Sequence, residues 1–376
     1  MRFRGMGFTA LSLVLMAGAA QANGFSRGTA DTDILYEPGN FNMRAGATIV
    51  VPSQKFTRNP GGSTTGGNVG VNYLESYVIP SAAIKFSLTD SLACATTMTT
   101  PYGASSSYEA PYGRSGKMSE EFTISEFGAT CAAFVNVGSG RLSVLGGAFV
   151  EKFNYDLLAG AGAVPVELES NAYGWRAGLG YEIPDIALRA QLLYRSGTSH
   201  EATGTATTPF GVLPATGAGE LPQSVELKVQ SGIAPGWLAF GSVKWTDWSV
   251  NETLVLQSLA FANPLNPTGT VANQYYWDDS WTITGGVAHA FNEQVAGLVS
   301  LQWDQGVSTG YDFRSDKWVL AAGLSLKDTL GGEVRLGGGI SYLEGAEITA
   351  ADSIEPLAAV DSGWAGALSA SYSVKW

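Results

Sequence analysis

The sequence predicts an all-β protein, a transmembrane antiparallel β-barrel of about 14 strands with a short N-terminal hatch or plug segment. Three observations lead there. Charged residues are only 14% of the chain, against roughly 25% in ordinary globular domains. Gly supplies 48 of 376 residues and aromatics 11%, yet no mature segment holds the roughly 18 consecutive apolar residues of a spanning helix. Apolar and polar residues also alternate with period two in segment after segment, with aromatics at the ends.

The elements follow in chain order. Residues 1–22 read as a secretory signal: Arg2 and Arg4 are the basic start, Phe8 to Ala20 the apolar stretch, and Ala20-Gln21-Ala22 the small-x-small cleavage site. The expected mature chain then starts at Asn23, with 19 basic minus 33 acidic residues, a charge of −14. Such a charge, with no basic cluster, disfavours nucleic acid as a partner. Residues 23–42 form the short hatch segment and 43–376 the barrel. An exported barrel places the protein in the bacterial outer membrane.

Candidate strands lie near 43–57, 76–88, 91–101, 120–137, 141–155, 171–182, 185–198, 222–233, 237–250, 277–290, 294–305, 315–327, 332–344 and 362–376. The last is the clearest. Trp364, Gly366, Leu368, Ala370, Tyr372, Val374 and Trp376 share one face, while small and polar residues occupy the other. Apolar faces turn to lipid and polar faces to the lumen. The terminal aromatic, Trp376, is the feature that barrel-assembly machinery reads. Connections alternate between short turns and mostly longer loops, which assigns the short ones to the periplasmic side.

Two of the long loops, 156–170 and 251–276, are unusually apolar. Leu157, Leu158, Val164, Leu256, Leu259 and Phe261 are therefore candidate ligand contacts. Inward parity also collects cations, among them Lys85, Arg176, Arg189, Arg195, Lys228, Lys244, Lys317 and Arg335. Arg189 and Lys317 are candidate anchors for an amphiphile's carboxylate; the bland alternative is an internal salt-bridge network that stiffens the wall. His200 is expected to be solvated in a loop and His289 to lie at the membrane interface. Neither has a hydrolytic or metal-binding setting, so no enzyme, cofactor or metal is expected. Cys94 and Cys131 are expected as near neighbours on adjacent strands, both free and lipid-facing.

A resemblance sharpens this reading. Leu221-Pro222-Gln223-Ser224, then Ala234-Pro235-Gly236-Trp237, then Trp245-Thr246-Asp247-Trp248-Ser249, with Asp279-Ser280-Trp281-Thr282 beyond, resembles the FadL/TodX family. These are outer-membrane transporters of long-chain fatty acids and other hydrophobic compounds. The resemblance implies a barrel of 14 strands, a hatch carrying an Asn-Pro-Ala motif, and a kinked third strand that opens the wall sideways. Here Glu37-Pro38-Gly39 stands at the hatch motif. Ala95, Thr97, Pro101 and Gly103 belong to the third strand and its end, the candidate gate.

The expected function is passive uptake of hydrophobic or amphipathic molecules, long-chain fatty acids first, with sideways exit. The alternative is a porin-like or structural barrel. Expected partners are the hydrophobic ligand, outer-membrane lipid and lipopolysaccharide, and the assembly machinery through Trp376. A monomer is expected.

Overall fold

A computed structural model describes residues 24–376 apart from Arg114 and Leu330; the signal segment 1–22 lies outside the described residues. One closed antiparallel barrel of 14 strands surrounds the lumen. The strands are β1 (Phe41–Ser53), β2 (Tyr77–Thr89), β3 (Leu92–Thr99), β4 (Lys117–Val137), β5 (Gly140–Ala159), β6 (Val164–Ile183) and β7 (Leu188–Arg195). The second half comprises β8 (Ser224–Ala234), β9 (Trp237–Thr246), β10 (Ser280–Ala290), β11 (Val295–Asp304), β12 (Lys317–Lys327), β13 (Gly332–Leu343) and β14 (Gly363–Lys375). The seam closes where β1 meets β14, from Asn42 opposite Lys375 to Ser53 opposite Trp364. At its foot the backbones of Phe41 and Trp376 exchange hydrogen bonds of 3.2 and 3.0 Å.

Parity follows the sequence. Leu320, Leu336, Ile340, Leu368 and Val299 are exposed to the lipid side, while Arg335, Ser341, Gln302 and Asp304 are buried inside. Register aligns Trp303, Trp318, Tyr342 and Trp364 on successive strands, a rim of aromatics at the outer interface. Trp303 donates to Asp316 just above it at 3.0 Å, and Trp245, opposite Trp281 on the neighbouring strands, donates to Asp279 at 3.0 Å. An indole that is half in lipid keeps its N–H satisfied this way. Glu120 points inward and pairs with Lys117 at 2.9 Å.

Several segments expected as loops are strand, among them 251–276, where Thr253–Ser258 pairs with Thr270–Gln274. β5 and β6 run on to a tight turn at Gly160–Gly162. Residues 198–221 form a hairpin, Thr198–Thr208 with Gly211–Leu221, which joins β6 on one side and the strand Thr253–Ser258 on the other. Gly103–Tyr112 continues the line of β3 alongside β4. The polarity of alternation inverts in this upper wall. In the bilayer-level part of β6, Tyr173, Trp175 and Leu179 face out; higher up Glu167 and Glu169 face out, and Val166 and Leu168 face in. The hairpin does the same, with Glu201, Thr203, Thr205 and Thr207 outside, and His200, Ala202 and Ala206 inside.

Cys94 and Cys131 are disulfide-bonded, not free. Both face out as expected, but they stand directly opposite in the β3–β4 register, with Cα atoms 4.0 Å apart. The expectation of free thiols erred because the third strand meets β4 with Leu92 opposite Ala133, which sets the two cysteines on one rung. Denatured protein should therefore take up no alkyl group without reductant and two after reduction, read as a mass shift. Two groups added before reduction would contradict the bond.

Candidate functional site

The segment ahead of β1 fills the lumen from below upward. Thr32–Tyr36 forms a short 3-10 turn whose residues are all buried. Ile34 and Leu35, each 1% exposed, pack on Ala93, Ala95, Ala132 and Leu145 of the wall. Charges fasten this plug. Arg44 on β1 bonds Asp31 at 2.5 Å and Glu37 at 2.9 Å, and Lys228 on β8 bonds Asp33 at 3.2 Å. Lys85 donates to the carbonyls of Glu37 and Gly39, the latter at 3.0 Å, and Asn42 donates to that of Pro38 at 3.1 Å. Gly39 has φ +96°, a conformation that suits Gly at this turn into β1.

Above the plug the wall is broken. The β2–β3 ladder ends at Ser81 opposite Thr99 and resumes only where Glu75 donates to the Ser105 carbonyl at 3.2 Å. Pro80 and Pro101 lie in this interval and bring no N–H. On the β4 side, three residues, Thr100 to Tyr102, stand against Ile124 and Ser125, a local bulge. The N-terminal segment covers the defect from inside. Arg27 donates its N–H to the Pro101 carbonyl at 2.7 Å, Gly28 to that of Thr100 at 2.8 Å, and Gly103 donates to the Phe25 carbonyl at 2.9 Å. A Cβ at Gly103 would lie 2.7 Å from the Arg27 guanidinium, which would have to shift.

The same segment ends at an apolar cavity in the upper wall. This cavity encloses about 660 Å³ of empty space, part of it open to solvent. Phe25, Phe122, Phe153, Tyr155, Leu168 and Leu256 supply its apolar lining, and Glu120, His200, Asn251 and Asn273 its polar points. Phe25 meets Phe122 edge-on at 4.7 Å and Trp277 at 4.7 Å, with Trp248 fully buried behind. Burial pushes the nearby Tyr275 phenol up, so it stays protonated. Burial likewise raises the Asp312 carboxyl, which accepts from the Trp277 indole at 2.9 Å.

Below the cavity lies a knot of buried charge. Arg195 bonds Glu126 at 2.9 Å, Glu151 and the Tyr102 hydroxyl at 3.3 Å, and Arg176 also bonds Glu126. His200, expected in solvent, is buried with Nε2 3.3 Å from Glu151 and Nδ1 2.9 Å from Ser170. This Ser-His-Glu set shares its carboxylate with Arg195 and Thr198 and braces the wall.

The expected contact residues divide. Leu157 and Leu256 share one buried apolar cluster, with Val164 and Phe261 packed against it, and Leu256 lines the cavity. Leu158 faces the other way, and Leu259 is 63% exposed. The two anchor cations are elsewhere. Arg189 covers the Tyr36 ring at 4.6 Å beside the plug. Lys317 stands opposite Asp304, in a separate polar cavity with Arg27 and Arg314. Ala95 and Thr97 face the lumen as parity predicted, and Pro101 and Gly103 flank the break. Phe25 and the upper aromatics were missed.

Comparison with known proteins follows this geometry. No curated protein matches the chain. A Pseudomonas aeruginosa FadL homologue is similar in fold at 13% identity, covering 100% of this chain and 99% of its own, with a TM-score of 0.75. The Pseudomonas putida toluene transporter TodX is similar at 14% identity, covering 96% of both chains, with a TM-score of 0.63. The CymD monoaromatic hydrocarbon channel is similar at 15% identity, covering 97% and 98%, with a TM-score of 0.62. Residues 35–329 match the family model described as outer membrane protein transport protein (OMPP1/FadL/TodX). The chain therefore belongs to the OMPP1/FadL/TodX family, as a bacterial outer-membrane channel for hydrophobic compounds and not an enzyme.

Proposed function

We propose that this channel takes a hydrophobic molecule into the upper apolar cavity and releases it sideways into the bilayer between β2 and β3. The observation that carries the proposal is the placement of residues 25–28. Phe25 is a wall of the cavity, and Ser26 to Gly28 occupy the wall defect at Thr100–Tyr102. A molecule that displaces Phe25 thereby loosens the strip that closes the gap. Sideways release suits the cargo, since each CH₂ moved from bilayer to water costs about 0.8 kcal/mol. The floor built on Ile34, Leu35 and Glu37-Pro38-Gly39 serves as the hatch that keeps the straight path shut. Arg44 and Lys85 hold that floor to the barrel.

Long-chain fatty acids and monoaromatic hydrocarbons are both carried within this reading. The cavity favours the second class, because Arg189 and Lys317 lie away from it.

Ser26 and Tyr102 are bridge partners across the defect, so Ser26→Cys with Tyr102→Cys locks the strip in place on oxidation. Proteoliposomes carrying the locked pair should lose toluene uptake and regain it on reduction, with the wild type in reductant as control. Undiminished uptake through the oxidised pair would place the exit elsewhere.

A further inference from the structure

We infer that Arg27, stacked on Tyr77, is the releasable latch of the gap between β2 and β3, and that the strip 24–28 swings on Thr29–Ala30 while the floor below stays in place. This rests on the channel reading above and names the residue that regulates its exit. The strip is fastened unequally to the two edges. On the β3 side it makes backbone hydrogen bonds: Arg27 donates to Pro101 at 2.7 Å, Gly28 donates to Thr100 at 2.8 Å, and Phe25 accepts from Gly103 at 2.9 Å. Towards β2 it makes none among the described residues. There Gly28 fits by shape, since a Cβ on it would lie 2.8 Å from Ile79 Cγ2 and 2.7 Å from Thr99 Oγ1. The electrostatic tie to β2 is the Arg27 guanidinium, 4.0 Å from the centre of the Tyr77 ring.

Arg27 is 5% exposed, yet among the described residues it forms no ion pair, and its Nε has no hydrogen-bond partner. The floor is fastened in the opposite way. Asp31 and Glu37 pair with Arg44, and Asp33 pairs with Lys228. Breaking a buried ion pair strands a charge and is strongly disfavoured, whereas a guanidinium leaves a ring at much smaller cost. One segment therefore has a half that is fixed and a half that can let go. Between them Thr29 is exposed and Ala30 half-buried, and both line a chamber with about 570 Å³ of empty space that gives the joint room to turn. Arg27 also borders a polar chamber with about 740 Å³ of empty space and Glu75 on its wall, where a released guanidinium can be solvated.

The test reads how often each half opens in the purified full chain. Ser26 is 8% exposed and Ile34 1%, so a cysteine at either position is alkylated by iodoacetamide when its half of the segment lifts. Cys94 and Cys131 are bonded to each other and stay silent. Arg27→Met and Tyr77→Leu should each speed alkylation of Ser26→Cys about tenfold, the weight of a desolvated cation–π contact, and leave Ile34→Cys unchanged. Tyr77→Phe keeps the ring and should leave both rates near those of the parent chain. A Ser26→Cys rate that stays at the parent value in whichever of Arg27→Met and Tyr77→Leu folds overturns the inference. So does Tyr77→Phe acting as strongly as Tyr77→Leu, and so does an equal rise at Ile34→Cys, which would mean that the segment moves as one body. Toluene separates the latch from the channel reading, since it should speed Ser26→Cys in the parent chain. If toluene acts and the latch variants do not, only this inference falls. If the latch variants act and toluene does not, the channel reading falls and takes the latch's role in exit with it.

Discussion

Liposomes carrying a chain that lacks residues 24–36 are expected to swell rapidly in small sugars, where the full chain leaves them almost unchanged. The deletion removes Ile34, Leu35 and Tyr36, the apolar mass that packs against Ala93, Ala95, Ala132 and Leu145 in the lower lumen. It also removes Asp31 and Asp33, leaving Arg44 with Glu37 alone and Lys228 with Glu226 alone. A lumen lined by released cations hydrates readily, because an unpaired charge in a dry space is far costlier than a wet one. The barrel should survive: its ladders are independent of the segment, and the β1–β14 seam starts only at Asn42. A milder form, Ile34→Ala with Leu35→Ala, should leak less. If the truncated chain folds, shown by heat-shifted electrophoretic mobility, and still excludes sugars, the segment is not the barrier.

The second large effect concerns Arg195. This guanidinium bonds Glu126 and Glu151 and the Tyr102 hydroxyl, and it lies over the Phe149 ring at 4.4 Å. The two carboxylates are among the most buried side chains of the protein. Arg195→Ala leaves Arg176 to answer Glu126, with His200 and Thr198 to answer Glu151. Removing one partner from a buried charge network typically costs about 3–5 kcal/mol, most of it the penalty of stranded charge. Urea unfolding from vesicles should show a loss of that order. Combining Arg195→Met with Glu151→Gln, which leaves Glu126 paired with Arg176, should recover much of it, since a neutral amide has less to lose. A loss under about 1 kcal/mol would mean that water reaches these carboxylates and the network is ornamental to stability.

Much of the barrel was readable because lipid enforces a simple rule. Where a strand crosses the bilayer, one face must be apolar, and Leu320, Leu324, Leu336 and Leu368 obey it without exception. The rule stops at the membrane surface, and the reading failed there. In the 198–221 hairpin Glu201, Thr203, Thr205 and Thr207 face out, and Ala202, Ala206 and Ala215 face in, so the segment looked like a Gly- and Thr-rich loop. Leu157 and Leu256 were noticed as apolar residues in loops, but they lie on strands that face inward. The cations were placed correctly by parity. Their partners were not, because Lys228 with Asp33 and Arg195 with Glu126 are brought together by the folding of segment and wall, not by local spacing.

The inverted polarity of the upper wall fixes the altitude of the cavity. Tyr173 and Trp175 mark where β6 leaves the hydrocarbon, and the strand continues up to Val164. Nine more residues at about 3.3 Å each, tilted by roughly 40°, lift its tip roughly 20 Å above that line. The wall with Leu168, His200 and Leu256 thus stands in the layer above the hydrocarbon rather than within the oil. A greasy molecule that dissolves poorly in hydrated saccharide meets its first dry surface out there. On the proposed route it then descends inside the protein, so the layer between the cavity and the hydrocarbon does not set its rate of entry.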